Sequence, residues 1–361
     1  MRRTIIDRQS IRGRGALSNP AGRFDVQQLA AVDDGWYQDE QPERIETTLE
    51  PERARELIST NDSPDIPFEQ SINPYRGCET GCIYCYARPS HAYMGLSPGL
   101  DFETRLFYKA DAAKVLEAQL ARAGYVCKPI TLGANTDPYQ PVERRMGVTR
   151  SILEVLARTR HPVTVITKHA LVLRDLDLLS ELAQQGLASV GVSITTQDGE
   201  LKRILEPRAA SPQARLRVLS SLHAAGVPCG VLVAPVIPAL TDHELEGILA
   251  AAAQAGASWA GYVLLRLPYE IKDLFRQWLE EHFPQRSNHV MSVIRDMRGG
   301  RDNDPRFGSR MRGTGPYAEL LRQRFRIAVK RLDLNRRGRE GFSTALFTPP
   351  TPPGSQLRLG L

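Results

Sequence analysis

Asn73-Pro74-Tyr75-Arg76-Gly77-Cys78-Glu79-Thr80-Gly81-Cys82-Ile83-Tyr84-Cys85-Tyr86 is the stretch on which the reading of the whole chain turns. Three of the five cysteines fall within these residues, at 78, 82 and 85, a layout that suits metal ligation and not a disulfide framework. Spacings of three and two intervening residues let one loop offer three thiolates to three irons of a cubane. Glycines at 77 and 81 permit the positive φ values that wrap backbone closely around such a cluster. The fourth iron then has no protein ligand and is open to the amino and carboxylate groups of a small molecule. A closed tetrahedral zinc site, with His91 as fourth ligand, is the alternative that these residues leave open.

Working outward, the loop follows a short β-rich run, Gln70–Pro74, and precedes a regular alternation of strands and helices. Helical spacing is read over 111–123, 151–159, 175–186, 213–226 and 242–256. Strands are read at 129–134, 163–167, 189–195, 229–234 and 261–265. About six βα units result, too few for a closed eight-unit barrel, so the fold class expected is α/β, a partial, open (β/α)6 barrel of the TIM type. Reactive groups should then gather at the C-terminal ends of the strands.

The domain organisation expected is an N-terminal extension over 1–65, the partial barrel over 66–268, a helical basic region over 269–345 and a Pro-rich tail over 346–361. The extension is expected to be partly disordered, with a mobile first 20 residues and one capped helix running from Thr48-Leu49-Glu50-Pro51 into ERARELIS. The tail, TPPTPPGSQLRLGL, reads as unstructured. No run nears the roughly 18 apolar residues of a membrane span and no signal peptide is evident, so a cytoplasmic protein is expected.

Cys78-x3-Cys82-x-Tyr84-Cys85 resembles the signature of the radical S-adenosylmethionine (SAM) superfamily. SINPYRGCETGCIYCYARPSH, GANTDPYQPVE, ITKHALVLRDLDLL, VGVSITT and LEPRAASPQARL together resemble the bacterial radical proteins grouped with spore photoproduct lyase as DNA repair photolyase-like. RGRGALSNPAGRFD is typical of the bacterial subgroup. The resemblance implies a [4Fe–4S] cluster on Cys78, Cys82 and Cys85 that passes one electron to SAM. The C–S bond then breaks to give methionine and a 5′-deoxyadenosyl radical that abstracts hydrogen from a substrate. It also implies a reductant such as flavodoxin or ferredoxin.

Further site residues follow from the same resemblance. Lys168 and Ser193, each at a strand end, would contact polar groups of the cofactor; Asn135 and Asp137 would meet its ammonium; Arg208 would lie close by. For Lys168 and Ser193 the physical reading agrees, because an ammonium and a hydroxyl can hold carboxylate or ribose oxygens. Tyr84 and Tyr86 flank Cys85, and either serve hydrogen transfer or pack against the cofactor. The lyase has a hydrogen-donating cysteine at the end of the strand matching PITLGA, where this chain has Ala134, which argues against repair of the spore-specific thymine dimer. Cys127 and Cys229 read as small buried hydrophobes.

The formal charge is +6, and it is unevenly placed. Between Arg295 and Glu340 stand fourteen Lys or Arg against six Asp or Glu, so the rest of the chain is slightly acidic. A nucleic-acid partner is therefore expected, with Arg298, Arg301, Arg306, Arg310 and Arg312 contacting phosphates. Two other functions remain open: a radical enzyme acting on a protein or small molecule with the basic loop as a lid, and a non-catalytic zinc or iron–sulfur protein that binds nucleic acid.

Overall fold

The computed structural model describes residues 11–25, 45–336 and 342–351. Along the chain come β1 (Thr48–Glu52), β2 (Ile58–Thr60), β3 (Gln70–Ile72), β4 (Tyr75–Arg76), α1 (Asp101–Thr104), β5 (Arg105–Lys109) and α2 (Ala112–Leu120). The next elements are β6 (Ile130–Leu132), α3 (Glu143–Met146), α4 (Val148–Arg158), β7 (Val163–Thr167), α5 (Leu176–Gln184) and β8 (Ala188–Ser193). Then follow α6 (Gly199–Leu205), α7 (Pro212–Ala224), β9 (Cys229–Val236), α8 (Leu245–Gln254) and β10 (Trp259–Leu264). Three helices close the series: α9 (Ile271–His282), α10 (Ser287–Asp296) and α11 (Gly315–Arg331).

The main sheet has the order β10-β9-β8-β7-β6-β3-β2. Its first six strands pair in parallel, each successive pair bridged by helices, and β2 adds antiparallel to β3 at one edge. The two edges do not pair with each other, so the expected six-unit partial barrel is present and open. Valines fill its strands, at 163 and 165 in β7, 190 and 192 in β8, and 231, 233 and 236 in β9, because a parallel sheet is covered on both faces. Outside, α4 turns Ile152, Leu153 and Leu156 inward, α5 Leu179 and Leu182, α7 Val218, Leu219 and Leu222, and α8 Ile248 and Leu249.

Local signals set the helix starts near the site. Asp198 caps α6 by accepting from the backbone N–H of Glu200 and Leu201 at 2.8 and 3.2 Å. Ser211 caps α7 by accepting from Ala214, with Pro212 in the first helical turn, where its missing N–H costs nothing.

Three expectations are corrected. Residues 48–60 form β1 and β2, not a capped helix: β1 lies at the edge of a second sheet, order β1-β5-β4, where Pro51 is tolerated, and the ERARE stretch has no apolar stripe to bury. Residues 11–20 are not loose, since Arg14 and Ala16 are buried against the cysteine loop; residues 1–10 lie outside the described residues. Of the tail, 346–351 docks, with the Phe347 ring edge-on to His161 at 5.3 Å and the Thr348 N–H on the Thr159 carbonyl at 2.9 Å; 352–361 lie outside the described residues.

Candidate active site at the open end of the half barrel

The cysteine loop leaves β3, runs through β4 and arches over the C-terminal ends of the parallel strands. Its backbone is tied on several sides: the Cys78 N–H donates to Phe102 O at 2.8 Å, Ile83 N–H to Leu205 O at 3.1 Å, and Cys85 N–H to Cys82 O at 3.2 Å. Gly77 and Gly81 have φ of +77° and +69°, and a Cβ at either would strike Leu106 or Glu103. Gly15, from the N-terminal segment, approaches so closely that a Cβ there would lie 1.9 Å from Gly81 O. The three cysteines are free, with Cys78 and Cys82 buried and Cys85 partly so.

Beneath the loop, charges are paired. Glu103 accepts from the backbone N–H of Gly15 and Ala16, both at 2.9 Å, and bridges Arg88, which also donates to Cys82 O and Gly99 O at 2.9 Å. On the other side Glu206 pairs with Arg215 and accepts from the Tyr84 hydroxyl and, at 2.9 Å, from Thr195. The Arg215 guanidinium beside Glu206 holds its carboxyl down at about 2 against the desolvation that would raise it. Sequence reasoning chose Arg208 in Leu205-Glu206-Pro207-Arg208 and passed over Glu206, the buried member; Arg208 instead donates to Glu79 at 2.6 Å and bonds Thr80 O through its N–H. The second signal missed was Arg88, three residues beyond Cys85.

The strand ends bring the other expected residues to this same end. Lys168 follows β7, its N–H donating to Asp137 Oδ2 at 2.7 Å and its ammonium 6.0 Å from the centre of the Tyr84 ring. Asp137 also accepts from Thr167 Oγ1 at 2.7 Å and from Tyr139 N at 2.9 Å, so its carboxylate braces β6 against β7. Asn135 is anchored through its N–H to Asn73 Oδ1 at 2.9 Å, and Ser193 ends β8, buried, with its carbonyl accepting from Arg215. The two tyrosines part company: Tyr84 is buried under the loop, whereas Tyr86 is 49 % exposed at the rim, its hydroxyl donating to Ala134 O. Arg266, two residues past β10 and not singled out from the sequence, reaches back over the Tyr86 ring at 5.9 Å.

With this geometry in place, the family comparison is decisive: the model described as the radical SAM superfamily matches residues 72–252, from the last residue of β3 into α8. The chain belongs to the radical SAM superfamily. An uncharacterized protein of Mycobacterium bovis is 40% identical over 232 residues, covering 64% of this chain and 68% of that one. A radical SAM Nalpha-GlyT isomerase of Pseudomonas phage M6 is 24% identical over 249 residues, 64% of this chain and 47% of the isomerase. Among solved structures, spore photoproduct lyase complexed with dinucleoside spore photoproduct superposes with a TM-score of 0.57 at 19% identity, covering 79% of each chain, a likeness of fold.

Members of the radical SAM superfamily bind a [4Fe–4S] cluster and SAM, and the loop suits the cluster. Burial pushes the Cys78 thiol up to about 12 and raises those of Cys82 and Cys85, so without metal all three are neutral thiols. A cluster supplies the positive charge that turns such buried thiols into thiolates. His91 points Nε2 at Arg105 O, 3.0 Å away, with its ring edge against Phe102 and its Nδ1 buried without a partner.

The basic C-terminal stretch divides. Arg298, expected on phosphate, is buried and donates to the carbonyls of Leu264, Leu265, Ser309 and Arg310, a corner-tie between β10 and the loop. Arg310 pairs with Asp65, both largely buried. Arg301, Arg306 and Arg312 are exposed, Arg306 with Asp304 as partner. Among the described residues no helix is long and apolar enough to cross a membrane.

Proposed function

We propose that Cys78, Cys82 and Cys85 hold a [4Fe–4S] cluster that cleaves SAM reductively, and that the resulting hydrogen abstraction acts on nucleic acid. The observation that carries the reading is the set of three free thiols in one braced loop over the open end of a parallel half barrel. When bound, the cluster supplies one electron to the sulfonium, received from a reductant such as flavodoxin or ferredoxin.

The chain's own residues do the rest. Lys168 offers a cation between the thiols and Glu206, where it favours the cofactor's carboxylate; Asp137 fixes the backbone that aims it. Asn135 and Ser193 border the same opening on β6 and β8 and supply polar contacts for the cofactor. Arg208 holds the loop through Glu79 and acts on the cofactor only indirectly. Tyr86, at the rim, is the hydroxyl in reach of a substrate for hydrogen exchange; Tyr84, tied to Glu206, orients the loop. Exposed Arg301, Arg306 and Arg312 supply phosphate contacts. Nucleic acid is favoured by the exposed Arg301, Arg306 and Arg312 on the loop after α10 and by the dinucleoside bound to the lyase of like fold.

Anaerobic reconstitution with iron and sulfide, then dithionite and SAM, should yield 5′-deoxyadenosine, and Cys82→Ala should abolish it. Zinc retention without 5′-deoxyadenosine would sink the reading. Affinity for single-stranded DNA or RNA should fall steeply as salt rises.

A further inference from the structure

Arg266, partly buried just past β10, differs from the buried Arg88, Arg215 and Arg298. Arg88 meets Glu103, Arg215 meets Glu206, and Arg298 meets four backbone carbonyls. Among the described residues the Arg266 guanidinium meets no carboxylate or carbonyl within hydrogen-bond distance: its contact is Nη1 to the thioether of Met311 at 3.6 Å, and its Nε, like that of Arg298, is buried with no partner. Partial burial of a cation that no carboxylate contacts is costly, and a ligand that brings a counter-charge offsets that cost. Its surroundings make the deficit larger. Among the described residues, Asp65 and Asp304 beside this corner are already paired, with Arg310 and with Arg306. Burial first and the nearby Arg310 after it disfavour the charge on Arg266, and Tyr86 and Asp65 offset this in part.

Position gives the unpaired cation its use. Arg266 follows β10, the last strand, while Tyr86 stands between it and the Ala134 carbonyl beyond β6. Through Tyr86 the ends of β10 and β6 are thus bridged, which puts the guanidinium at the C-terminal end of the half barrel. Exposed Phe307, with Arg310 lying 4.5 Å over its ring, stands on the loop next to this corner and offers a face on which a base can stack.

We infer that Arg266 is a phosphate-binding specificity residue, holding one phosphodiester of the substrate at the barrel rim so that the adjoining nucleoside lies against Tyr86. The inference rests on the nucleic-acid reading of the mouth and adds a defined subsite to it. A guanidinium fork suits two phosphate oxygens, and one charge-assisted contact of this kind is worth about tenfold in affinity.

Isothermal titration tests it with four probes: thymidine, thymidylyl-thymidine, a thymine 12-mer and inorganic pyrophosphate. The reconstituted protein should bind thymidylyl-thymidine about tenfold more tightly than thymidine. Arg266→Gln should erase that difference, Arg266→Lys should keep part of it, and Arg301→Gln should weaken only the 12-mer. Matching melting curves for Arg266→Lys and the unaltered chain guard against a folding defect. Equal preference for the dinucleotide in the unaltered chain and Arg266→Gln would overturn the inference, as would no Arg266-dependent binding of any phosphate probe. If pyrophosphate needs Arg266 while neither DNA probe binds, the subsite stands and the nucleic-acid reading falls.

Discussion

The underside of the cysteine loop and the rim above it are built from the same residue types and treat them in opposite ways. Below, Glu103, Arg88, Glu206, Arg215 and Tyr84 form closed networks in which each charge has its counterpart within hydrogen-bond distance. Above, Tyr86 is half exposed and the Arg266 Nε is buried without a hydrogen-bond partner. The difference separates support from encounter: a loop that must hold three thiolates in fixed places is anchored from beneath by fully satisfied groups, and polar capacity left over at the rim is capacity for a ligand.

The largest effect on stability should come from cutting the underside. Glu103 joins Arg88 to the Gly15-Ala16 segment, two parts of the chain far apart in sequence. Glu103→Ala leaves the Arg88 guanidinium buried without its carboxylate and should cost ~3–5 kcal/mol, measured as a lowered urea midpoint. If the variant lost under 1 kcal/mol, the network would be ornamental and the contrast with the rim would fail.

Much of this arrangement could be read in advance, and the rest could not, for physical reasons. The β7 strand Val163–Thr167 was legible to the residue because a strand covered on both faces needs valines, and the helices because they repeat an apolar stripe. The three-cysteine loop declared itself by spacing alone. By contrast β1 exists only through its pairing with β5, far along the chain, and no local pattern announces such a partner. Charge was visible and burial was not: Arg298 and Arg310 looked like phosphate contacts, yet the first satisfies carbonyls and the second Asp65. Tyr84 and Tyr86 looked equivalent until the loop's curvature put one under and one over it.

A medium-sized effect sharpens the comparison from a third place, remote from the loop. His161 is buried among Tyr125, Pro162 and Phe347, and burial drops its pKa to about 4. The folded value lies below the unfolded value of 6.5, so the unfolded chain takes up the proton first. The stability His161 confers is complete above about pH 6.5 and is lost as pH falls towards 4, amounting to about 3 kcal/mol over the window. His91 and His169 are shifted the same way by burial, so the whole chain should weaken further. His161→Gln should remove only its own share, seen as a shallower fall in urea midpoint between pH 7 and pH 4.5; an unchanged slope would contradict a neutral buried imidazole.

The smallest effect is also the most discriminating, because it compares two hydroxyls on either side of one cysteine. Tyr84→Phe removes a donor from the buried Glu206 network, where burial first and Cys82 and Glu206 after it hold the phenol well above its ordinary pKa, and should cost ~1–2 kcal/mol. Tyr86→Phe removes a hydroxyl from a half-exposed rim, where water can take over the Ala134 carbonyl, and should cost under ~0.5 kcal/mol. Product formation should order the pair in the other sense. With 5′-deoxyadenosine release measured alongside substrate turnover, Tyr86→Phe should lower turnover per SAM cleaved, whereas Tyr84→Phe should lower both together by loosening the loop. If both variants lost stability equally and turnover equally, the line drawn here between a closed underside and an open rim would not run between these two side chains.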